Sequence, residues 1–279
     1  MGPPAKAGVR DTRGEFDWPK PSRGVVVALV GPDGVGKTSQ TAQLTNILQK
    51  KFKCTAVYLG CGDGGWAFRR SLKKLLRRWR LQASQEKPSL NSPARERVND
   101  SLRTALAGLV IALERYWSML RAMRLAESGS IVISDRWPQN MQPGLFDGTF
   151  RLHPHASGLV GILSRIERYG YHRMEAHKPN VTVHLISDFA TSNARKPGDR
   201  SPLEFKQRLK LMQEMRRRDP RIMTVDARNG FDEVTDDLLE CISVALSQQS
   251  QIPKERPSIV HVLCLLILAS GGTIGLSEA

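Results

Sequence analysis

The strongest constraint on the fold is the run 25–38, Val-Val-Val-Ala-Leu-Val-Gly-Pro-Asp-Gly-Val-Gly-Lys-Thr. Its first half is apolar and rich in β-branched residues, as in a strand covered on both faces of a parallel sheet. Residues 41–49 then set Leu44, Ile47 and Leu48 along one helical face. Between strand and helix, every fixed position of G-x-x-x-x-G-K-T is filled. The glycines let successive backbone N–H groups turn inward around an anion, and the start of the helix adds its positive end. Lys37 is placed to reach β- and γ-phosphates, and the Thr38 hydroxyl to ligate magnesium. The expected cofactors are ATP as phosphoryl donor and Mg2+. The candidate cofactor-binding residues are Gly31, Gly34, Val35, Gly36, Lys37, Thr38 and Ser39. The alternative is a chance glycine turn, which the strand before and the helix after argue against.

A chain of 279 residues, 40% hydrophobic, is long enough for one full α/β core with appendages. Cys54, Cys61, Cys241 and Cys264 show no C-x-x-C spacing and no matching histidines, so reduced thiols are expected rather than a zinc site. Residues 1–23 carry Pro, Gly and charge without an apolar run. They read as a disordered leader and not as an export signal. The net charge of +15 calls for an anionic partner. Much of that charge sits in 66–81, where Phe68, Leu72, Leu75, Leu76 and Trp79 share helical spacing with seven Lys and Arg and no acid. This basic amphipathic helix fits a solvated face, an anionic membrane surface, nucleic acid, or phosphate attraction at the mouth of a site.

Further along, 55–59 reads as a second strand ending in the loop Gly60-Cys61-Gly62-Asp63-Gly64-Gly65, a flexible candidate for the substrate side. Residues 98–128 have the helical rhythm of one long helix or two, ended by Gly129. A third strand, 131–134, delivers Asp135 and Arg136 at its carboxyl end, where a carboxylate can hold magnesium and an arginine can clamp phosphate. A long loop, 138–157, is broken by Pro and Gly and suits a substrate-covering role, with His153 and His155 in it. Then follow a helix at 158–169, a strand at 181–186 and a short helix at 188–194. The cationic turn 195–200 comes next, with Arg195 and Arg200 able to close over a γ-phosphate. A helix at 203–218, a strand at 222–225 and a helix at 231–247 complete the pattern.

With these parts in order, the chain resembles the thymidylate kinase family over roughly 24–248. The resemblance rests on Gly31-x-Asp33-Gly34-x-Gly36-Lys37-Thr38, on Asp135-Arg136, on the Arg195/Arg200 arm, and on Val225-Asp226-Ala227. It implies a P-loop NTPase three-layer α/β sandwich with a five-stranded, mostly parallel sheet and a lid. It also implies that Asp33 contacts the sugar of an acceptor nucleotide, that Arg136 holds the acceptor phosphate, and that Arg115 faces the acceptor. Because Gly34 stands where some members carry arginine, the catalytic arginine is expected from the lid. The expected sites are thus catalytic Lys37, Arg136, Arg195 and Arg200; substrate-binding Asp33, Arg115, Asp135 and Arg136; and metal-holding Thr38 and Asp135. The acceptor half departs from the family. Trp137-Pro138-Gln139-Asn140-Met141-Gln142 replaces a Ser and Ala-Tyr-Gln group, the second strand lacks Arg-Glu-Pro-Gly-Gly, and Ile186 replaces an aspartate.

The expected organisation is a leader 1–23, a kinase domain 24–248 with a basic insertion 66–97, and an apolar tail 249–279. The run 259–269 is shorter than the roughly 20 apolar residues a spanning helix needs, so packing or peripheral adhesion is expected in a cytoplasmic protein. The reaction expected is Mg-dependent transfer of the ATP γ-phosphoryl to a nucleoside monophosphate. The runners-up are another small metabolite as acceptor, or a nucleotide-dependent regulatory module acting through 66–81. Expected partners are nucleotide substrates, with a homodimer and a membrane or nucleic-acid surface as open candidates.

Overall fold

The computed structural model describes residues 18, 23–60, 102–143, 145–149, 158–198 and 201–248. Its elements are β1 (Val26–Val30), α1 (Lys37–Gln49), β2 (Cys54–Tyr58), α2 (Leu102–Glu127), β3 (Ile131–Asp135), α3 (Gly158–Ala176), β4 (Val181–Ile186), α4 (Phe189–Arg195), α5 (Pro202–Arg218), β5 (Met223–Asp226) and α6 (Phe231–Gln248). The strands form one sheet in the order β2-β3-β1-β4-β5. All four pairings among the described strands are parallel, in keeping with the five-stranded parallel sheet expected.

The apolar run of β1 is buried along its length because both faces are covered. Val25, Val27 and Leu29 face one core, shared with Leu44 and Leu48 of α1 and with Leu238 and Ile242 of α6. Val26, Ala28 and Val30 face the other, shared with Met119 and Leu120 of α2 and with Tyr171 and Met174 of α3. Helices above and below one sheet make three layers, and the glycine-rich turn into α1 makes the whole a P-loop NTPase fold. The register sets Leu29 of β1 beside Asp135 of β3, so the phosphate loop and the β3 terminus open on the same edge of the sheet.

Local chemistry explains most boundaries. Asp188 caps α4 by accepting from Thr191 N at 2.7 Å. Ser201 caps α5 with Pro202 in its first turn. Residues 102–127 form one continuous helix rather than two. α3 runs seven residues past its expected end at 169: Gly170 does not stop it, because Tyr171 and Met174 bury completely on the sheet beyond. Trp18, inside the expected leader, packs edge-on against Phe52 with ring centroids 5.8 Å apart.

The basic stretch 66–81, the insertion 66–97, His153, His155, Arg200 and the tail 249–279 lie outside the described residues. Among the described residues no helix is long and apolar enough to cross a membrane.

Candidate functional site

The phosphate loop has the backbone that an anion cradle requires. Gly34 and Gly36 adopt φ of 85° and 91°, in the left-handed region that favours glycine. A Cβ at Gly34 would stand 2.4 Å from the Ser192 carbonyl oxygen of α4, so glycine is needed there for space as well. Gly36 is the N-cap of α1, and no side chain caps the helix start. The first-turn N–H groups therefore remain available to an anion.

Lys37 is buried and folded back over this loop, donating to the Gly31 and Pro32 carbonyls at 2.8 and 2.7 Å. Burial foremost, and then Arg136, lower its pKa to about 8 against the opposing pull of Asp33, Asp135 and Asp147. Thr38 Oγ1 donates to Asp135 Oδ2 at 2.6 Å, joining the start of α1 to the end of β3. Asp135 is 3% exposed, and its Oδ1 is buried with no hydrogen-bond partner. An orphaned carboxylate oxygen beside a threonine hydroxyl fits an octahedral cation that takes few protein ligands and completes its shell with water and phosphate. Magnesium therefore fits Thr38 and Asp135. Among the described residues no cluster of three or more His, Cys, Asp or Glu suggests a different metal.

Beyond the loop, charged side chains converge. Arg136 sits just after β3 in a left-handed conformation (φ 77°), a strained position for a side chain with a Cβ. The turn is held by Arg136 N on Leu29 O at 2.9 Å and by Ser134 Oγ on Arg136 O at 2.7 Å. Its guanidinium bridges Asp33 Oδ1 at 2.7 Å and Asp147 Oδ2 at 3.2 Å. Burial would lower the Arg136 pKa, but the two carboxylates outweigh that and raise it. Arg115, from α2, donates Nε to Leu59 O at 3.0 Å, and Nη1 to both Asp147 O and the Tyr171 hydroxyl. Its Nη2 meets Asp147 Oδ1 at 2.7 Å. Arg115 is thus fully engaged behind Asp147, at the rear of the cluster.

Two members of this cluster escaped the sequence reading, Asp147 and Arg208. Arg208 comes from α5, 3.6 Å from Asp33 Oδ2, with its guanidinium over the Phe146 ring. A signal existed for it: Arg208 lies on the apolar stripe of α5, three residues after Phe205 and three before Leu211, where a solvated arginine does not belong. Asp147, on an irregular loop, had none.

Arg195 stands apart from the cluster. Its guanidinium donates to the Ala227 carbonyl at 2.9 Å, just past β5, one helical turn from the Ser192 carbonyl that crowds Gly34. Ile186 is partly exposed at the end of β4. One cleft, lined by Val30, Trp137, Met141, Thr182, Met215 and Ile222, opens beside the loop after β3. None of the residues lining it belongs to the phosphate loop.

No family model matches the chain. Two proteins of Escherichia coli K12 are similar along most of their length. One is named uncharacterized ATP-binding protein YghR, 27% identical over 221 residues that span 78% of this chain and 87% of that protein. The other is named uncharacterized ATP-binding protein YghS, 28% identical over 236 residues that span 80% and 94%. Among solved structures, thymidylate kinase from Candida albicans aligns with 84% of this chain and 96% of its own, at 19% identity and a TM-score of 0.46. The fold stands without that likeness, on the sheet and the loop themselves.

Proposed function

We propose that this protein is a magnesium-dependent phosphotransferase that moves the γ-phosphoryl group of ATP to a small acceptor. The observation that carries the reading is the buried, orphaned Asp135 Oδ1 beside Thr38, at the open end of a glycine cradle over which Lys37 is folded. The names of both bacterial relatives, ATP-binding proteins, support the donor. The loop amides and Lys37 would hold the triphosphate, and Thr38 and Asp135 the magnesium. When bound there, magnesium would neutralise charge on the β- and γ-phosphate oxygens. Lys37 must leave the Gly31 and Pro32 carbonyls to follow the transferring group. Arg136 and the lid arginines Arg195 and Arg200 would share the charge that develops.

The resemblance points to a nucleoside monophosphate as acceptor, its phosphate on Arg136 and its sugar on Asp33. A second reading, an acceptor with no phosphate of its own, is favoured by Asp147, which already occupies the guanidinium forks of Arg136 and Arg115.

The test is transfer of labelled γ-phosphate from ATP to a panel of nucleotides, nucleosides and sugars, with Lys37→Ala and Asp135→Asn beside the native chain. Both variants should lose nearly all turnover, since such contacts contribute several kcal/mol to the transition state. A Lys37→Ala protein that keeps more than about a tenth of native turnover refutes the assignment.

A further inference from the structure

We propose that Asp147 sets the specificity of the acceptor site, and that the site takes an uncharged polyhydroxy acceptor rather than a phosphorylated one. This rests on the phosphotransferase reading above and names its substrate class.

The cluster beyond the phosphate loop holds the guanidinium groups of Arg115, Arg136 and Arg208 and the carboxylates of Asp33 and Asp147. A phosphate on the acceptor would need the forks of Arg136 and Arg115 turned toward it. Asp147 instead takes one arm of each fork, its Oδ1 accepting from Arg115 Nη2 and its Oδ2 from Arg136 Nη1. The other terminal nitrogen of Arg136 donates to Asp33, so a phosphate arriving there would face two carboxylates, each about 3 Å from the same guanidinium. Hydroxyl groups meet no such repulsion, and they can donate to the carboxylate oxygens that repel phosphate.

Asp147 is built in and does not simply cover an empty place. Phe146 and Asp147 both have positive φ, 42° and 62°, strain that persists only where surroundings impose it. The surroundings are visible. Buried Gln139 ties the loop from inside, with Nε2 donating to Gln142 O and Leu145 O and Oε1 accepting from Met141 N and Gln142 N. Leu145 and Phe146 pack under Leu211 and Met212 of α5. Arg115 Nη1 also holds the Asp147 carbonyl at 2.7 Å. The carboxylate is 6% exposed. Moving it aside for a phosphate would mean unpacking this loop and unpairing Arg115 in the core.

In the transfer, the acceptor hydroxyl oxygen bonds to the γ-phosphorus as the bond from that phosphorus to the β,γ-bridging oxygen breaks. ADP departs with the electron pair. The hydroxyl proton passes to a carboxylate of the cluster, Asp33 being the one that the phosphate loop itself carries.

The experiment compares nucleosides and common sugars with their monophosphates on the full chain, for the native protein, Asp147→Asn and Asp147→Ala. Transfer is followed with labelled ATP and Mg2+, and binding by calorimetry with ADP and Mg2+ present. The native chain should favour unphosphorylated acceptors at least tenfold, and each variant should move that ratio at least tenfold toward the monophosphates. Native preference for monophosphates, or variant ratios within about threefold of native, overturns the proposal. If the variants do not melt cooperatively, the native preference alone decides. If the native chain binds neither panel, gain of monophosphate binding by the variants supports the proposal and its absence overturns it. Absence of transfer with the binding ratios as expected refutes the phosphotransferase reading and leaves the specificity standing.

Discussion

ATP binding should draw a proton from solution at alkaline pH, because Lys37 is buried, with Arg136 nearby, before the nucleotide arrives. Its folded-state pKa is about 8, against 10.5 for a free lysine. A triphosphate beside the ammonium would restore the charged form, so binding and protonation are coupled. At pH 8 about half the empty molecules lack the proton, and binding should take up about half a proton; near pH 6.5 the uptake should be close to zero. If only the protonated lysine holds phosphate, the dissociation constant should rise about twofold at pH 8 and about tenfold at pH 9 over its neutral value. Calorimetry in two buffers of different ionisation enthalpy reads the uptake directly, at a pH where ATP itself is fully deprotonated. Stability follows with its own sign. The folded value lies below the unfolded one, so the unfolded chain carries more protons between pH 8 and 10.5. Stability should therefore gain about 3 kcal/mol across that window, with the full penalty present below it. Heats that do not depend on buffer at pH 8, together with an affinity flat from pH 7 to 9.5, refute this account of the lysine.

Other perturbations reach other parts of the site. Gly34→Ala forces a Cβ against the α4 backbone at positive φ, and should cost about 1–3 kcal/mol in a thermal melt and weaken ATP binding by titration. Arg208→Ala removes a buried guanidinium beside Asp33 and should destabilise by about 3 kcal/mol, with Arg208→Lys recovering only part because the fork and the stack on Phe146 are lost. Arg195→Ala should lower kcat about tenfold or more with little change in KM for ATP; a change in KM alone would make it a binding clamp. His184, buried in β4, has its pKa lowered to about 4 by burial and by nearby Arg216. Stability should fall as pH drops from 6.5 to 4, where the unfolded chain takes the proton first, and His184→Gln should flatten that acid limb in denaturant titrations.

What the sequence made legible follows from range. The phosphate loop is a local pattern with fixed spacing, and Asp135-Arg136 is adjacent to a recognisable strand, so both could be placed without tertiary knowledge. β1 and the first three residues of β3 read as apolar runs because both faces of these strands are buried. The end of α3 was hidden because packing of Tyr171 and Met174 outweighs the weak helix preference of Gly170. Asp147 was hidden for a stronger reason. Its meaning depends on Arg115 on one element and Arg136 on another, and nothing in a Pro- and Gly-broken loop marks one aspartate as the bridge between them. Arg208 lay between these extremes, betrayed only by its place on an apolar stripe.

The strand order carries a consequence for how the chain comes to be assembled. Among the described strands β1 is made first, yet its two neighbours are β3 and β4, whose pairing residues begin at 132 and 181. β2 follows β1 in the chain but pairs only with β3. Until residue 135 has emerged, the most apolar of the described strands and the loop behind it have no strand partner on either side, and the sheet can only be filled from the middle outward. A nascent chain therefore holds its future nucleotide site as exposed, sticky strand until β3 has been made. A product ending before 181 would leave one side of β1 as a raw edge open to other chains. Loss of the sequence from β4 onward should thus show as aggregation rather than as a smaller folded protein, because the first of these strands to be made keeps an open side until β4 arrives.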